Sequence, residues 1–321
     1  MQKILAGTIL NNRYKITNTY KIEVDYIAYR VEDIRFIGSS WILYQISISE
    51  YNTSQNYLSN LYQFLSSLSK IVYEKIGKIV DYFIEKQYLM VICEEINGTL
   101  LSDIIHSSKT NHIKAIKLAL QLLEIVRNLH ERNIIHLVDL RPDNIVIDKQ
   151  GIVKIQSLAI SKIPAMVTEK GIEEKYVGTI GYIPPEMLDD DKSSIGEYSY
   201  IYIVASIVYE YLTKLSPYLR EDPFFFPPAS SVNPTIPPQI SSLLEKSLNS
   251  NPNERIKTFK EFEKKLASIL KSETNYEQIT TKHFPIHSIL TNKVLILIAI
   301  FVLIQLTIIV GLVLYYTMYL R

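Results

Sequence analysis

The chain has 321 residues, of which 47% are apolar and 21% are charged, so most of it should fold around a core. Its 34 basic and 33 acidic side chains leave a net charge of +1, which gives no reason to expect nucleic-acid binding. The single cysteine, Cys93, excludes an internal disulfide and is expected to be a buried, inert thiol, and no Cys/His spacing suggests a metal site.

The first hundred residues predict short strands and one helix. Apolar and β-branched residues alternate with polar ones in RYKIT, residues 13–17, and in WILYQISIS, residues 41–49, which favours strands. From Leu58 onwards, apolar residues recur at i, i+3, i+4 and i+7, which predicts an amphipathic helix over residues 56–70.

The following part of the chain, up to about residue 270, is predicted to be mainly helical. Helical spacing of apolar residues covers residues 112–131, 200–213 and 237–249, and the last of these begins with a proline pair that suits a helix start. A small strand-rich part followed by a larger helical part predicts an α+β fold with two lobes.

The C-terminal residues have a different composition. Residues 294–316 carry no charge and would span about 34 Å as a helix, which predicts a single transmembrane helix after a juxtamembrane linker at residues 271–293. Lys271, Lys282 and Lys293 precede this segment and only Arg321 follows it, which predicts that the large N-terminal part is cytoplasmic. The expected location is therefore the membrane, with the bilayer as a partner of the C-terminal anchor.

Five segments carry a family resemblance. They are IIHLVDLRPDNIVID at 134–148, GIVKIQSLA at 151–159, GTIGYIPPEM at 178–187, YSYIYIVASIVYEYLT at 198–213 and NPNERIKTFKEF at 251–262. In this order they resemble the protein kinase superfamily, most closely the bacterial-type serine/threonine kinases. The resemblance covers residues 10–268 and implies an N-lobe at about 10–93 and a C-lobe at about 97–268.

Several positions depart from the family pattern for binding ATP. No glycine occurs from residue 8 to residue 37, where a glycine-rich loop is expected, and Glu23 and Asp25 bring negative charge there instead. Tyr44 stands at the position of the ATP-binding lysine and Leu61 at that of its glutamate partner, where leucine also suits core packing. Ser157 replaces the aspartate of Asp-Phe-Gly, and a hydroxyl is a poor Mg²⁺ ligand beside a carboxylate.

Other positions keep the family pattern. The resemblance places Asp139 as the catalytic base, Asn144 as a metal ligand and Arg141 in place of the usual lysine, although Asp and Asn also stabilise tight loops. Either His136 or Leu137 aligns with the family's histidine. Glu186 and Arg255 match a buried ion pair of the C-lobe.

Three functions remain open. The loss of the phosphate-handling residues predicts a pseudokinase that acts in signalling as a scaffold or allosteric regulator with a protein partner, and for it we expect no cofactor. A divergent but active serine/threonine kinase would need ATP and Mg²⁺. A nucleotide-binding sensor is the third possibility, because the resemblance implies that the hinge near Ile92–Ile96 recognises adenine through backbone groups. Phe224–Phe226 could bind a partner or pack locally.

Overall fold

The computed structural model describes residues 1–36, 38–51, 53–173, 178–189 and 192–282, together with Gln305. The chain divides into two units, Met1–Ile269 and Leu270–Arg321. The first unit contains two lobes, a strand-rich one followed by a helical one, as the α+β prediction requires.

The N-lobe is built on one antiparallel sheet in the order β1-β2-β3-β4-β6-β5. Its strands are β1 (Ile9–Leu10), β2 (Tyr14–Ile22), β3 (Tyr26–Asp33), β4 (Trp41–Ser47), β5 (Ile79–Glu85) and β6 (Tyr88–Glu94). The residues of β4 between its two ends are all buried, since this central strand is covered on both faces. Tyr44 is therefore buried in the middle of the central strand.

One long helix packs against this sheet. Helix α1 (Gln55–Ser69) confirms the helix predicted over residues 56–70 and is capped by Ser54, which accepts a hydrogen bond from the Tyr57 amide. Its buried face includes Leu61, which is fully buried and therefore serves as a core residue.

The C-lobe is helical, with helix α5 at its centre. Fourteen of the 17 residues of α5 are buried, because the helix is apolar on all sides and other helices surround it. Its helices are α2 (Leu101–Ser107), α3 (His112–Glu131), α4 (Ile163–Met166), α5 (Glu197–Thr213), α6 (Ala229–Val232), α7 (Pro238–Ser247) and α8 (Phe259–Lys282). Two small sheets complete it, formed by β7 (Thr99–Leu100), β8 (Ile145–Ile147) and β9 (Val153–Ile155), and by β10 (Val167–Thr168) and β11 (Gly171–Ile172).

The predicted transmembrane helix has to be corrected. No helix in the described part of the chain is both long and apolar enough to cross a membrane. The longest of them, α8, has 24 residues, but the charged side chains of Glu263, Lys264 and Lys265 lie between its buried Phe262 and Leu266. The segment at 294–316 lies outside the described residues. The described residues thus form a two-lobed α+β fold in which no helix can span a membrane, and the predicted cytoplasmic side stays a prediction.

Candidate active site between the two lobes

The candidate site is a small cavity between the N-lobe sheet and the loops that flank β8 and β9. It is lined by both lobes, with Tyr26 and Tyr44 above and Asp139, Asn144 and Ser157 below. Its volume is about 40 Å³. This is room for two or three water molecules, whereas ligand pockets in proteins usually measure about 300–1,000 Å³. The rings of Tyr26 and Tyr44 are among the side chains that enclose this small space.

Tyr44 and Ser157 meet across this cavity. The Tyr44 hydroxyl and Ser157 Oγ are 3.0 Å apart and form a buried hydrogen bond between β4 and the segment that follows β9. The Tyr44 ring also packs on Tyr26, with 5.4 Å between ring centroids. Burial raises the pKa of Tyr44 well above its usual value, so the phenol is neutral at physiological pH. A neutral pair thus joins the two positions at which the family pattern has a lysine and an aspartate.

Helix α1 is connected to the segment after Ser157 by neutral groups as well. The Tyr57 hydroxyl donates to the Pro164 carbonyl at 3.1 Å, and the Asn60 side-chain amide donates to the Thr168 carbonyl at 2.9 Å. Leu61 lies on the same helix and is fully buried. Hydrophobic packing and hydrogen bonds to main-chain carbonyls therefore hold α1, and Leu61 has no charge with which to hold a lysine.

Asp139 is enclosed by partners from its own lobe. Its Oδ1 accepts the Thr179 amide at 3.0 Å, its Oδ2 accepts the Thr179 hydroxyl at 2.9 Å, and Arg141 Nε lies 3.2 Å from Oδ2. Burial raises the pKa of the Asp139 carboxyl above its usual value, and the Arg141 charge and the Thr179 hydrogen bonds oppose this shift only in part. The carboxylate is thus committed to intramolecular contacts in this conformation.

Asn144 performs a structural task in the same loop. Its side-chain amide donates to the Asp139 carbonyl and to the Ser157 carbonyl, both at 3.0 Å. The loop residue Leu137 is buried, and its carbonyl accepts the Ala159 amide at 2.8 Å. These bonds tie the loop to the segment that carries Ser157.

A network of charges links the β2–β3 hairpin to this loop. Glu23, at the tip of the hairpin, lies 2.9 Å from Lys21 Nζ and 3.5 Å from Arg141 Nη2. Lys21 is also 3.6 Å from Asp143. Burial acts to lower the pKa of Arg141, but the surrounding carboxylates, Asp139 foremost, outweigh it and raise that pKa. The hairpin that occupies the place of a glycine-rich loop is thereby held by ion pairs.

ATP and Mg²⁺ do not fit the residues that are present. The two cations that line the cavity, Lys21 and Arg141, already have carboxylate partners, Glu23 and Asp139. Lys162 is likewise paired with Asp25. Among the described residues, no group of three His, Cys, Asp or Glu side chains is placed to hold a metal ion. A Ser157 hydroxyl is a weak substitute for the carboxylate that a hard cation prefers.

The predicted C-lobe pair is present and buried. Arg255 donates from both terminal nitrogens to Glu186, with Nη2 at 3.0 Å from Oε2. Arg255 Nε donates to the Asn249 carbonyl at 2.6 Å, and the Ser199 hydroxyl donates to Glu186 Oε1 at 2.7 Å. Every part of this buried pair has a partner, which is the condition under which buried charges are tolerated.

The aromatic loop at Phe224–Phe226 is divided between packing and exposure. Phe226 stacks under the Arg220 guanidinium at 3.9 Å and meets the rings of Tyr202 and Tyr209 edge-on. Phe225 remains 62% exposed. Local packing therefore accounts for Phe226 and leaves Phe225 on the surface.

Gln156 is one of the site residues that the sequence analysis missed, as are Lys21, Tyr26 and Thr179. Gln156 lines the cavity directly before Ser157, is buried, and hydrogen-bonds to the main chain at the end of β6. The sequence shows a glutamine next to Ser157, but its hydrogen-bond partner Glu94 lies 62 residues earlier in the chain. The contact therefore leaves no local sequence signal.

A comparison with protein families matches residues 44–267 of this chain to the protein kinase domain. The chain belongs to the protein kinase family. This confirms the predicted superfamily.

Individual kinases resemble parts of the chain. The serine/threonine-protein kinase shk2 of Schizosaccharomyces pombe is 29% identical over 53% of this chain and 29% of its own length. The serine/threonine-protein kinase PrkC of Bacillus subtilis is 22% identical over 88% of this chain and 44% of its own length. The chain thus spans less than half the length of these curated relatives. The crystal structure of Rad53 1-466 in complex with AMP-PNP superposes with a TM-score of 0.56 at 17% identity, covering 76% of this chain and 62% of that chain, and supports the fold alone.

Proposed function

We propose that this kinase-family chain is a pseudokinase, which does not transfer phosphate and acts as a scaffold or allosteric regulator of a protein partner. The observation that carries the proposal is the hydrogen bond between Tyr44 and Ser157. It joins the two positions that would otherwise supply a cation for the phosphates and a carboxylate for the metal. Phosphoryl transfer depends almost entirely on positioning and charge stabilisation, so losing both groups removes its basis.

The energetics of the closed cavity support the same proposal. A nucleotide would have to displace the Tyr44 ring from a fully enclosed position and separate Arg141 from Asp139 and Glu23. No residue that lines the cavity offers an unpaired cation that would compensate for these lost contacts. A chain that keeps its kinase fold under these conditions acts through its surface, where Ile180, Leu219 and Phe225 present exposed apolar side chains.

The alternative is an active serine/threonine kinase, favoured by the presence of Asp139 and Asn144 and by the names of the similar proteins. In that case Asp139 would have to leave Thr179 to accept a proton from a substrate hydroxyl. A rearrangement of the hairpin that carries Glu23 would be needed as well, because the Glu23 carboxylate lies 3.5 Å from Arg141, which lines the cavity beside Asp139.

A thermal-unfolding titration of the full chain with ATP, with and without Mg²⁺ or Mn²⁺, tests the proposal. A ligand at 100 times its Kd would stabilise the fold by about 2.7 kcal/mol and raise Tm visibly. We expect no change in Tm up to millimolar ATP. A metal-dependent rise would contradict the proposal, and a phosphotransfer assay of the wild type against Asp139→Asn would then test the active-kinase alternative. A rise without metal would indicate a nucleotide sensor.

A further inference from the structure

The N-terminal residues lie across one face of the N-lobe sheet. Residues 2–8 form a strap, in which the Gly7 amide donates to the Ile16 carbonyl at 2.8 Å and the Thr8 carbonyl accepts the Ile16 amide at 2.9 Å. The Ile4 side chain packs against the buried core of this face, which includes Tyr29, Leu43 and Met90. The strap therefore rests on the sheet through one apolar anchor and through main-chain hydrogen bonds.

Two buried polar side chains of the sheet bind the main chain of the strap. Gln45 follows Tyr44 on β4, and because side chains alternate along a strand, it points away from the inter-lobe cavity. Its Nε2 donates to the Gln2 carbonyl at 3.2 Å. The Tyr29 hydroxyl accepts the Ile4 amide at 2.9 Å and donates to Gln45 Oε1 at 2.9 Å. The pair thus recognises a carbonyl and an N–H group two residues apart, and neither contact depends on the identity of a strap side chain.

Tyr29 and Gln45 need such a partner because both are buried. Tyr29 is 0% exposed and Gln45 is 1% exposed. A buried hydroxyl or carboxamide lowers stability when one of its hydrogen bonds is left unmade. If the strap leaves, Gln45 Nε2 loses its acceptor and the Tyr29 hydroxyl loses its donor. Another extended segment can replace both, since every residue carries a carbonyl and every residue except proline an N–H group.

An open groove lies beside the strap. It measures about 650 Å³ and separates the strap from the β5–β6 turn, with Gln45, Glu85, Lys86, Tyr88 and Met90 among its lining residues. Ligand pockets in proteins usually measure about 300–1,000 Å³. Leu5 lines the groove but is 75% exposed, and Gln2 and Lys3 are exposed as well. Because the turn contributes one acidic and one basic side chain, Glu85 and Lys86, the groove suits a segment without net charge.

We propose that Tyr29, Gln45 and this groove form a binding site for an extended, neutral peptide segment with a branched aliphatic anchor, and that the strap occupies the site until a protein partner replaces it. Main-chain hydrogen bonds supply the affinity and the pocket of the Ile4 side chain supplies the specificity, as when an extended peptide binds to a sheet. This inference rests on the proposed function in that it states how the protein partner of the scaffold is recognised. Its site uses none of the atoms of the inter-lobe cavity.

The test uses the strap peptide, residues 1–8 with a fluorescent label, in anisotropy titrations of the full-length protein. In the wild type the strap competes from an effective concentration of about millimolar, which weakens binding of the peptide. Ile4→Asp in the protein places a carboxylate on the apolar core and releases the strap while Tyr29 and Gln45 stay intact, so the affinity for the peptide should rise about tenfold or more. Ile9→Asp is the matched control, because Ile9 is half exposed and lies outside the strap and the groove. It should leave the affinity unchanged.

Equal affinities of wild type and Ile4→Asp for the peptide would overturn this inference. Undiminished binding after Tyr29→Phe is added to Ile4→Asp would do so too, since this substitution removes the hydroxyl that accepts the peptide amide and orients Gln45. A second measurement does not depend on Ile4→Asp. The Ile4 amide should exchange with solvent about tenfold or more faster in Tyr29→Phe than in the wild type, and equal rates would contradict the inference. Metal-dependent ATP binding by the wild type would overturn the proposed function and leave peptide binding as it is, so the two failures are distinguishable.

Discussion

The inter-lobe cavity and the core of the C-lobe differ in whether their paired side chains are charged. In the C-lobe, Glu186 and Arg255 form a buried ion pair with further hydrogen bonds to the main chain and to a hydroxyl. In the cavity, the positions where the family pattern has a lysine and an aspartate hold Tyr44 and Ser157, which form one neutral bond. The chain has kept the charges that join elements of the fold and lacks those that would handle phosphates.

The physical reason is the free-energy cost of a buried charge that has lost its partner. A buried charge without a partner is costly, so an ion pair persists or is lost as a unit. Leu61, Tyr44 and Ser157 illustrate the second case, because all three positions are now neutral and buried. In the first case, Arg255 cannot be lost without leaving Glu186 unpaired in the C-lobe core.

The largest effect is expected from breaking the C-lobe pair. Glu186→Gln removes the negative charge while Arg255 stays buried, so the free energy of unfolding should fall by about 3–5 kcal/mol. Urea unfolding followed by circular dichroism measures this change. The loss should appear as a lower transition midpoint with an unchanged m value, since the unfolded chain exposes the same surface.

A surface pair supplies the control for this experiment. Arg127 Nη2 and Glu263 Oε2 are 2.6 Å apart, but both side chains are about one-third to one-half exposed. Glu263→Gln should cost at most about 1 kcal/mol, because an exposed pair is screened by solvent. If Glu186→Gln lowered the free energy of unfolding no more than Glu263→Gln does, the stability of the C-lobe would not depend on its buried ion pair.

Much of the fold followed from the sequence because periodicity and motif order are local signals. Helix α1 is the clearest example, since its apolar spacing and the Ser54 cap lie within 16 residues. The Tyr44–Ser157 bond was not predictable in this way, because 113 residues separate its partners and neither residue type suggests the other. Gln156 was missed for the same reason. The prediction of a transmembrane helix was wrong, since no helix of the described residues can span a membrane. Helix α8, which ends at Lys282, is amphipathic.

A second substitution tests whether the cavity still tolerates the charges it lacks. Tyr44→Lys places an ammonium opposite the neutral Ser157, and helix α1, where Leu61 is buried, has no carboxylate to compensate it. The free energy of unfolding should fall by about 3 kcal/mol, because the amine must be buried unpaired or lose its proton. Thermal and urea unfolding at pH 7 measure the change.

The double variant Tyr44→Lys/Ser157→Asp sharpens the comparison between the two regions. It restores opposite charges at two positions that already contact each other, so about 2 kcal/mol of the loss should be recovered as a coupling energy. Ser157→Asp alone completes the double-mutant cycle and should be destabilising. A coupling energy near zero would mean that these positions can no longer hold an ion pair, unlike Glu186 and Arg255.

The smallest effect concerns Asp139 and its dependence on pH. Burial raises the pKa of Asp139, so the folded state binds its proton more tightly than the unfolded chain does. Wild-type stability should therefore fall as pH rises from about 4 through the raised pKa, and Asp139→Asn should remove this loss. The variant should gain stability relative to wild type between pH 4 and pH 7 in urea titrations. Asp148→Asn should show the opposite sign, at and below about pH 4, because hydrogen bonds from the Ile152 and Gln150 amides lower the pKa of Asp148 and the stability that they add is lost as the pH falls. If both variants changed in the same direction, burial would not govern Asp139, and its carboxylate would be as well compensated as Glu186 is in the C-lobe.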